Sequence, residues 1–307
     1  MTHAVVLVSG GDAVSPFTTP DAACSSGLAA GNTNTYLRER LLAAGHAVFT
    51  APAMNARSAV LDAEPGSFGA FGGQPEVLPA HMTIISNGDI DNSGEHLTRF
   101  VQYLHDHHGV TEISFVGHSN GGLFSTAAIR TLRDIGAGIP VRTLVTLGTP
   151  WMGTMPLRVS YDEVPAASLM GDTRALAIVD ALRKHADATD AGLARQDTYD
   201  YLLGSDGWLA AQAGVLDDLS VLLVGGTWLE HDGGNKELWP FDGLVSEYSA
   251  LAKGVDLAVI PNRSELSVPL LHSIFLADVF TQPWETGMTW NSDVADAVIT
   301  HLNAQKA

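Results

Sequence analysis

A chain of 307 residues is long enough for one large α/β domain with a generous core. Its 46% apolar and 16% charged shares exclude a disordered chain. The excess of 34 acidic over 16 basic residues argues against nucleic acid or an anionic membrane as partner, since both need a basic footprint. The lone cysteine, Cys24, rules out an intrachain disulfide and lies in a Ser/Ala/Gly-rich stretch with no thiolate-forming neighbours. No apolar run approaches a membrane span, and no basic segment followed by an apolar one precedes the first strand. The sequence therefore reads as cytoplasmic as written, or as secreted if it is a processed mature form.

Ala4–Val8 is apolar throughout, the pattern of a buried parallel strand. It ends in Ser9-Gly10-Gly11-Asp12, a turn able to offer a backbone N–H to an anion. Gly11 is the better donor, with Gly10 and Asp12 left open. The turn fits neither G-x-x-x-x-G-K nor G-x-G-x-x-G, so it is no phosphate cradle. Asp12–Thr33 reads as a long polar loop, Tyr36–Ala44 as a helix stopped by Gly45, and Ala47–Pro52 as a strand. Asn55–Ala80 is a Gly- and Pro-rich extended loop.

Asp89-Ile90-Asp91-Asn92-Ser93-Gly94 begins like a calcium loop, but its twelfth position is Phe100 where a bidentate glutamate is needed. A helix start fits better, with Asn92 and Glu95 as a capping-box-like pair. His105, His107 and His108 sit at that helix's end, where imidazolium complements the dipole. Their spacing does not put three ligands on one face, so no metal or other cofactor is expected.

The run Ile113–Val116 leads directly into Gly117-His118-Ser119-Asn120-Gly121-Gly122, followed by a small-residue helix from Leu123 to Leu132. G-x-S-x-G between a strand and a helix holds the serine Oγ exposed on a sharp turn. The helix N-terminus points its N–H groups back to where an oxyanion would form. Arg142–Leu147 is another strand, ending in Gly148-Thr149-Pro150-Trp151-Met152-Gly153. Strands alternating with helices predict a mostly parallel central sheet flanked by helices.

Composition changes near Thr154. Helical patterns over Thr173–His185 and Tyr199–Ala213, with no strand-like run, predict an inserted helical cap. The division is then 1–153 and 215–307 for the core and 154–214 for the cap. Trp151, Met152 and Met155 are candidates to line an apolar acyl pocket; packing the cap onto the core explains them equally well. Leu219–Val224 and Val255–Ile260 read as the last strands and Asp293–Asn303 as the terminal helix.

A serine hydroxyl needs a general base, and the base needs a carboxylate to orient it. In the strand–turn–helix arrangement both follow the serine in the order acid, then histidine. Of His185, His231, His272 and His301, His272 follows the last strand and precedes a helical run, as a base should. Asp242, followed by Gly-Leu-Val-Ser, is the favoured acid, with Asp232 and Glu230 in the same loop as alternatives. Asp242 would also serve as N-cap of a helix over Val245–Ala252. The N–H groups of Asn120 and Gly11 complete the expected site.

Three segments carry a resemblance: Gly117-His-Ser-Asn-Gly-Gly122, Leu147-Gly-Thr-Pro-Trp-Met-Gly153, and Asp242-Gly-Leu-Val-Ser246 followed by Ser249-Ala250. In this order they resemble the bacterial α/β-hydrolase lipases and esterases. The resemblance implies an α/β-hydrolase fold, Ser119, Asp242 and His272 as catalytic triad, and a small-molecule ester substrate with an apolar acyl group. Such enzymes often carry His-Gly after the first strand, where this chain has Ser9-Gly10. Amidase, lactonase or acyltransferase chemistry would use the same triad, and a non-catalytic binding protein would be expected to have lost part of it.

Overall fold

The structure, a computed structural model, describes residues 2–20, 33–55, 78–188 and 195–305. Cys24 and most of the expected 55–80 loop lie outside the described residues. The first strand, β1 (Thr2–Val8), is followed by α1 (Thr35–Ala43), β2 (Ala47–Thr50), β3 (Ala53–Met54) and β4 (Ile84–Ile85). Then come α2 (Ile90–His108), β5 (Val110–His118), α3 (Gly121–Asp134) and β6 (Val141–Leu147). Helices α4 (Met155–Ser160), α5 (Thr173–Ala188) and α6 (Tyr199–Leu203) precede β7 (Ser220–Gly226). The chain closes with α7 (Glu247–Ala250), β8 (Arg263–Val268), α8 (Ile274–Val279) and α9 (Ser292–Ala304).

Six strands form the main sheet in the order β2-β1-β5-β6-β7-β8, and each pairing is parallel. The period of two in a strand divides β1 between two cores. Ala4, Val6 and Val8 join a cluster with Leu97, Phe100 and Leu104 of α2 and Leu123, Phe124 and Ala127 of α3. Val5 and Leu7 face the other way, onto Leu37 and Leu41 of α1 and Val294, Val298 and Leu302 of α9. Burial on both faces explains why β1 reads as an unbroken apolar run. Burying one such side chain as fully as Phe100 contributes roughly 2–3 kcal/mol.

A third cluster lies away from the sheet. It joins Met155 and Val159 of α4 and Val179 of α5 to Leu229, Trp239 and Phe241 in the β7–α7 loop, with Leu271 and Ala277 after β8. Helices α4 and α5 thus pack on the loops leaving the carboxyl ends of β7 and β8. Among the described residues between β6 and β7 there are helices and turns and no strand. No described helix is long and apolar enough to cross a membrane.

Several local expectations are corrected. Val255–Ile260 is a series of turns, and the last strand is β8, just beyond them at Arg263–Val268. Val255, Val259 and Ile260 are apolar because the turns carry them into the main core. As an edge strand β8 is largely exposed and carries charge, with Glu265 paired to Lys253 and Arg263. The helix expected over Tyr199–Ala213 is two short pieces, α6 and a 3-10 turn at Trp208–Gln212, broken at Gly204 and Gly207. The cap of helix α2 lies three residues before Asn92: it is Asp89, which accepts the Asn92 N–H at 2.9 Å. The short α7 is capped by Ser246 rather than Asp242.

Candidate active site

The strand order reverses between β1 and β5, since the chain winds outward to β2 on one side and through β6, β7 and β8 on the other. Open parallel sheets bind ligands in the crevice at such a switch point, beyond the strand carboxyl ends. Val8 pairs with Gly117 there, so the Ser9-Gly10-Gly11 turn and Ser119 leave the sheet side by side. Ser119 has φ +55°, a left-handed backbone that a non-glycine residue adopts only when its surroundings enforce it. Three contacts enforce it. The Ser119 N–H donates to the Leu147 carbonyl at 2.8 Å, the Gly122 N–H donates to the Ser119 carbonyl at 3.1 Å, and the Thr149 hydroxyl donates to the same carbonyl at 2.7 Å.

Gly10 packs directly against the turn. A Cβ there would lie 2.4 Å from Ser119 Cβ and 3.0 Å from Ser119 Oγ, so no larger residue fits without displacing the serine. Gly11 follows and is exposed. Asn120 is buried at the start of α3.

Asp242 and His272 come from the loops after β7 and β8. His272 Nδ1–H donates to Asp242 Oδ2 at 2.7 Å, and both side chains are buried. The His272 backbone N–H also donates to the Asp242 carbonyl at 2.8 Å. The other carboxylate oxygen, Oδ1, accepts the N–H groups of Leu244 and Val245 at 2.9 and 2.7 Å. Asp242 therefore caps its own tight turn, not a helix, and this turn fixes the carboxylate. The pair lies against Gly148, where a Cβ would come within 2.9 Å of His272 Nδ1 and 3.0 Å of Asp242 Oδ2. Gly148 directly follows Leu147, the residue that accepts the Ser119 N–H.

His118 touches the same histidine. Its Nε2–H donates to the His272 carbonyl at 2.8 Å, and the two rings lie 4.7 Å apart. Burial, reinforced by the neighbouring His272 imidazole, pushes its pKa down to about 3, so His118 is neutral at working pH. Asp197, on the segment preceding α6, accepts a hydrogen bond from Asn120 Nδ2 at 2.8 Å on its Oδ2. Burial pushes its carboxyl up to about 7, against the opposing pull of the Asn120 bond and of attraction to His272.

The other candidates are placed elsewhere. Trp151 and Met152 are buried in the main core and Met155 in the third cluster. Asp232, Glu230 and His231 are exposed in the loop after β7. His301 is half-buried against β6 and β7, with Nε2 3.0 Å from Thr143 Oγ1. Of the histidines ending α2, His105 holds the Val110 carbonyl and His107 lies against the Tyr103 ring. No group of three or more His, Cys, Asp or Glu side chains among the described residues could hold a metal ion. Sequence reasoning missed His118 and Thr149, although both stand inside the motifs already singled out. It also missed Asp197, which no motif marks.

Comparison with known proteins agrees with this architecture. Residues 81–164 match the family described as "Putative serine esterase (DUF676)", a stretch that includes Ser119 and Thr149 but neither Asp242 nor His272. No curated protein matches the sequence. Among solved structures, the mature lipase BlEst2 of Bacillus licheniformis superposes with a TM-score of 0.52 at 15% identity, over 91% of this chain and 90% of its own. The lin2722 gene product of Listeria innocua superposes with a TM-score of 0.50 at 17% identity, over 98% and 94%. The metagenomic carboxyl esterase MGS0156 gives 0.52 at 14% identity, over 99% and 76%. The likeness to serine esterases and lipases thus extends from one sequence segment to the whole architecture, and the chain has the α/β-hydrolase fold.

Proposed function

We propose that the protein is a carboxylic-ester hydrolase that works through an acyl-enzyme on Ser119. The observation that carries this reading is the buried His272–Asp242 pair at 2.7 Å, lying against the residue next to the one that holds the Ser119 turn. Ser119 Oγ attacks the ester carbonyl carbon while His272 Nε2 takes its proton. Asp242 holds the Nδ1–H tautomer and stabilises the imidazolium. The tetrahedral oxyanion is met by the N–H groups of Asn120 and Gly11, each such donor contributing roughly 3 kcal/mol to the barrier reduction. The proton then passes to the departing alcohol, and water releases the acid through the same base.

The substrate is a small-molecule ester, and the resemblance to lipases and esterases leads us to expect an apolar acyl group. Residues 154–214 act as a cap over the strand ends, a reading supported by the packing of α4 and α5 on the loops that carry Asp242 and His272. A fluorophosphonate probe tests the nucleophile. The native protein should be labelled and Ser119→Ala should not; a native protein that resists labelling and hydrolyses no p-nitrophenyl ester sinks the proposal.

A further inference from the structure

Asn120 is 3% exposed and its side chain makes one hydrogen bond, from Nδ2 to Asp197 Oδ2 at 2.8 Å; its Oδ1 has no partner. Asp197 is 4% exposed, and its Oδ1 is also without a partner. Nothing else among the described residues bonds the Asn120 side chain, so Asp197 is its sole polar anchor. A buried amide left wholly unpaired is unfavourable, so this bond bears on where the Asn120 side chain sits.

Asp197 is itself well fixed, although it lies far along the chain. Its carbonyl accepts the Thr154 N–H at 3.0 Å. The preceding Gln196 bridges to the start of α2, donating from Nε2 to Asp89 Oδ2 at 2.5 Å and accepting the Ile90 N–H at 2.7 Å. On the other side, Thr198 Oγ1 accepts the Tyr201 N–H at the start of α6. The backbone that carries the Asp197 carboxyl is thus fixed beside Asn120 by elements that take no part in forming the Ser119 turn.

We propose that Asp197 is a positioning residue of the active site: by anchoring the Asn120 side chain it fixes the residue whose backbone N–H receives the oxyanion. The proposal rests on the ester-hydrolase reading above. An oxyanion donor works only when held at hydrogen-bond distance from the position that charge reaches in the transition state. A donor on a loosened residue forfeits part of its effect without altering ground-state binding.

Asp197→Ala, Asp197→Asn and Asn120→Ala, alone and combined, test this on a p-nitrophenyl ester, with a trifluoromethyl ketone as mimic of the oxyanion. The amide oxygen that Asp197→Asn introduces still accepts from Asn120, so the conservative variant should keep most of the rate. Asp197→Ala should lower kcat about tenfold or more at nearly constant KM, and weaken the ketone by the same factor. Asn120→Ala should reproduce that loss, and the two alanine changes together should cost no more than one. Should Asp197→Ala not fold, Asn120→Ala removes the same bond from its other end.

The proposal is overturned if either alanine variant folds with unchanged kcat and ketone affinity, if the two losses add, or if Asp197→Asn is as slow as Asp197→Ala. A native protein inert to esters and to fluorophosphonate overturns the hydrolase reading and this proposal together. An active native protein with indifferent alanine variants overturns this proposal alone.

Discussion

The Ser119 turn and the helical segment from Met155 to Gln212 adjoin each other but are held by different forces. At the turn the backbone does the work: the glycines leave no room for a Cβ, which would lie 2–3 Å from neighbouring atoms, and main-chain hydrogen bonds fix the serine. The helical segment, in its described helices, is docked partly by one main-chain bond, from the Met155 N–H to the Leu244 carbonyl at 3.0 Å, and largely by side chains, within the segment and across it. Trp239 Nε1–H donates to the Ser168 carbonyl at 3.0 Å, Arg174 pairs with Asp172 at 2.7 Å, and Arg158 lies over the Tyr199 ring. It also presents Tyr161, Met170, Leu176 and Tyr199 to solvent as exposed large apolar side chains. Close-packed backbone is intolerant of change and keeps one geometry, whereas side-chain docking adds many small, separately dispensable terms. One region keeps a single backbone geometry, while the other, apart from Asp197 at its contact with Asn120, is free to be varied.

The contrast breaks first at Asp242, the proposed acid. Asp242→Asn should reduce kcat about 10⁴-fold by favouring the wrong imidazole tautomer, whereas Asp232→Asn, in an exposed loop, should stay within about twofold. Equal rates for the two variants would remove Asp242 from the site.

Gly10→Ala comes next. Its Cβ would sit 2.4 Å from Ser119 Cβ, so kcat should fall about 10²-fold or more in a protein that still folds, as read by circular dichroism. A normal rate would mean that the crevice is looser than its geometry implies.

The two regions should also answer pH in opposite senses. His118 belongs to the turn, and its folded pKa is about 3 against an ordinary 6.5. The unfolded chain binds that proton first, so this stability is complete above about 6.5 and is lost as pH falls toward 3. Asp197 belongs to the helical segment, and its folded pKa is about 7 against an ordinary 3.8. Its stabilisation is complete below 3.8 and is lost as pH rises to about 7. Each slope reaches about 1.4 kcal/mol per pH unit at most, and the two oppose each other between about pH 4 and 6.5. Urea unfolding across that window should show stability rising with pH in Asp197→Asn and falling with pH in His118→Gln. Parallel curves for the two variants would contradict the assignment.

The smallest effect belongs to the docked helices. Trp239→Phe should cost about 1 kcal/mol of stability through the lost hydrogen bond to Ser168 and leave kcat nearly unchanged. A large loss of rate would mean that the docking of Trp239 on Ser168, and not Asp197 alone, bears on the reacting geometry.

What the sequence determined by itself was whatever short-range physics dictates. A parallel strand buried on both faces is mostly apolar, and Ala4–Val8 says so directly, as does Ile113–Val116 apart from Ser114. A serine forced to positive φ needs glycines around it, so Gly117-His-Ser-Asn-Gly121 marks the turn. The carboxylate at Asp242 is held by N–H groups two and three residues on, so it too is written locally. Burial deceived where it did not coincide with a strand: Val255–Ile260 is apolar because its turns are buried, while the exposed edge β8 carries no apolar run. Only the tertiary structure decided that Gly10 lies under Ser119, that Gly148 makes room for His272 and Asp242, and that Asp197 meets Asn120 across 77 positions of sequence. Those contacts depend on parallel register and strand order, which are set by long-range packing and leave no periodic trace in the residues that make them.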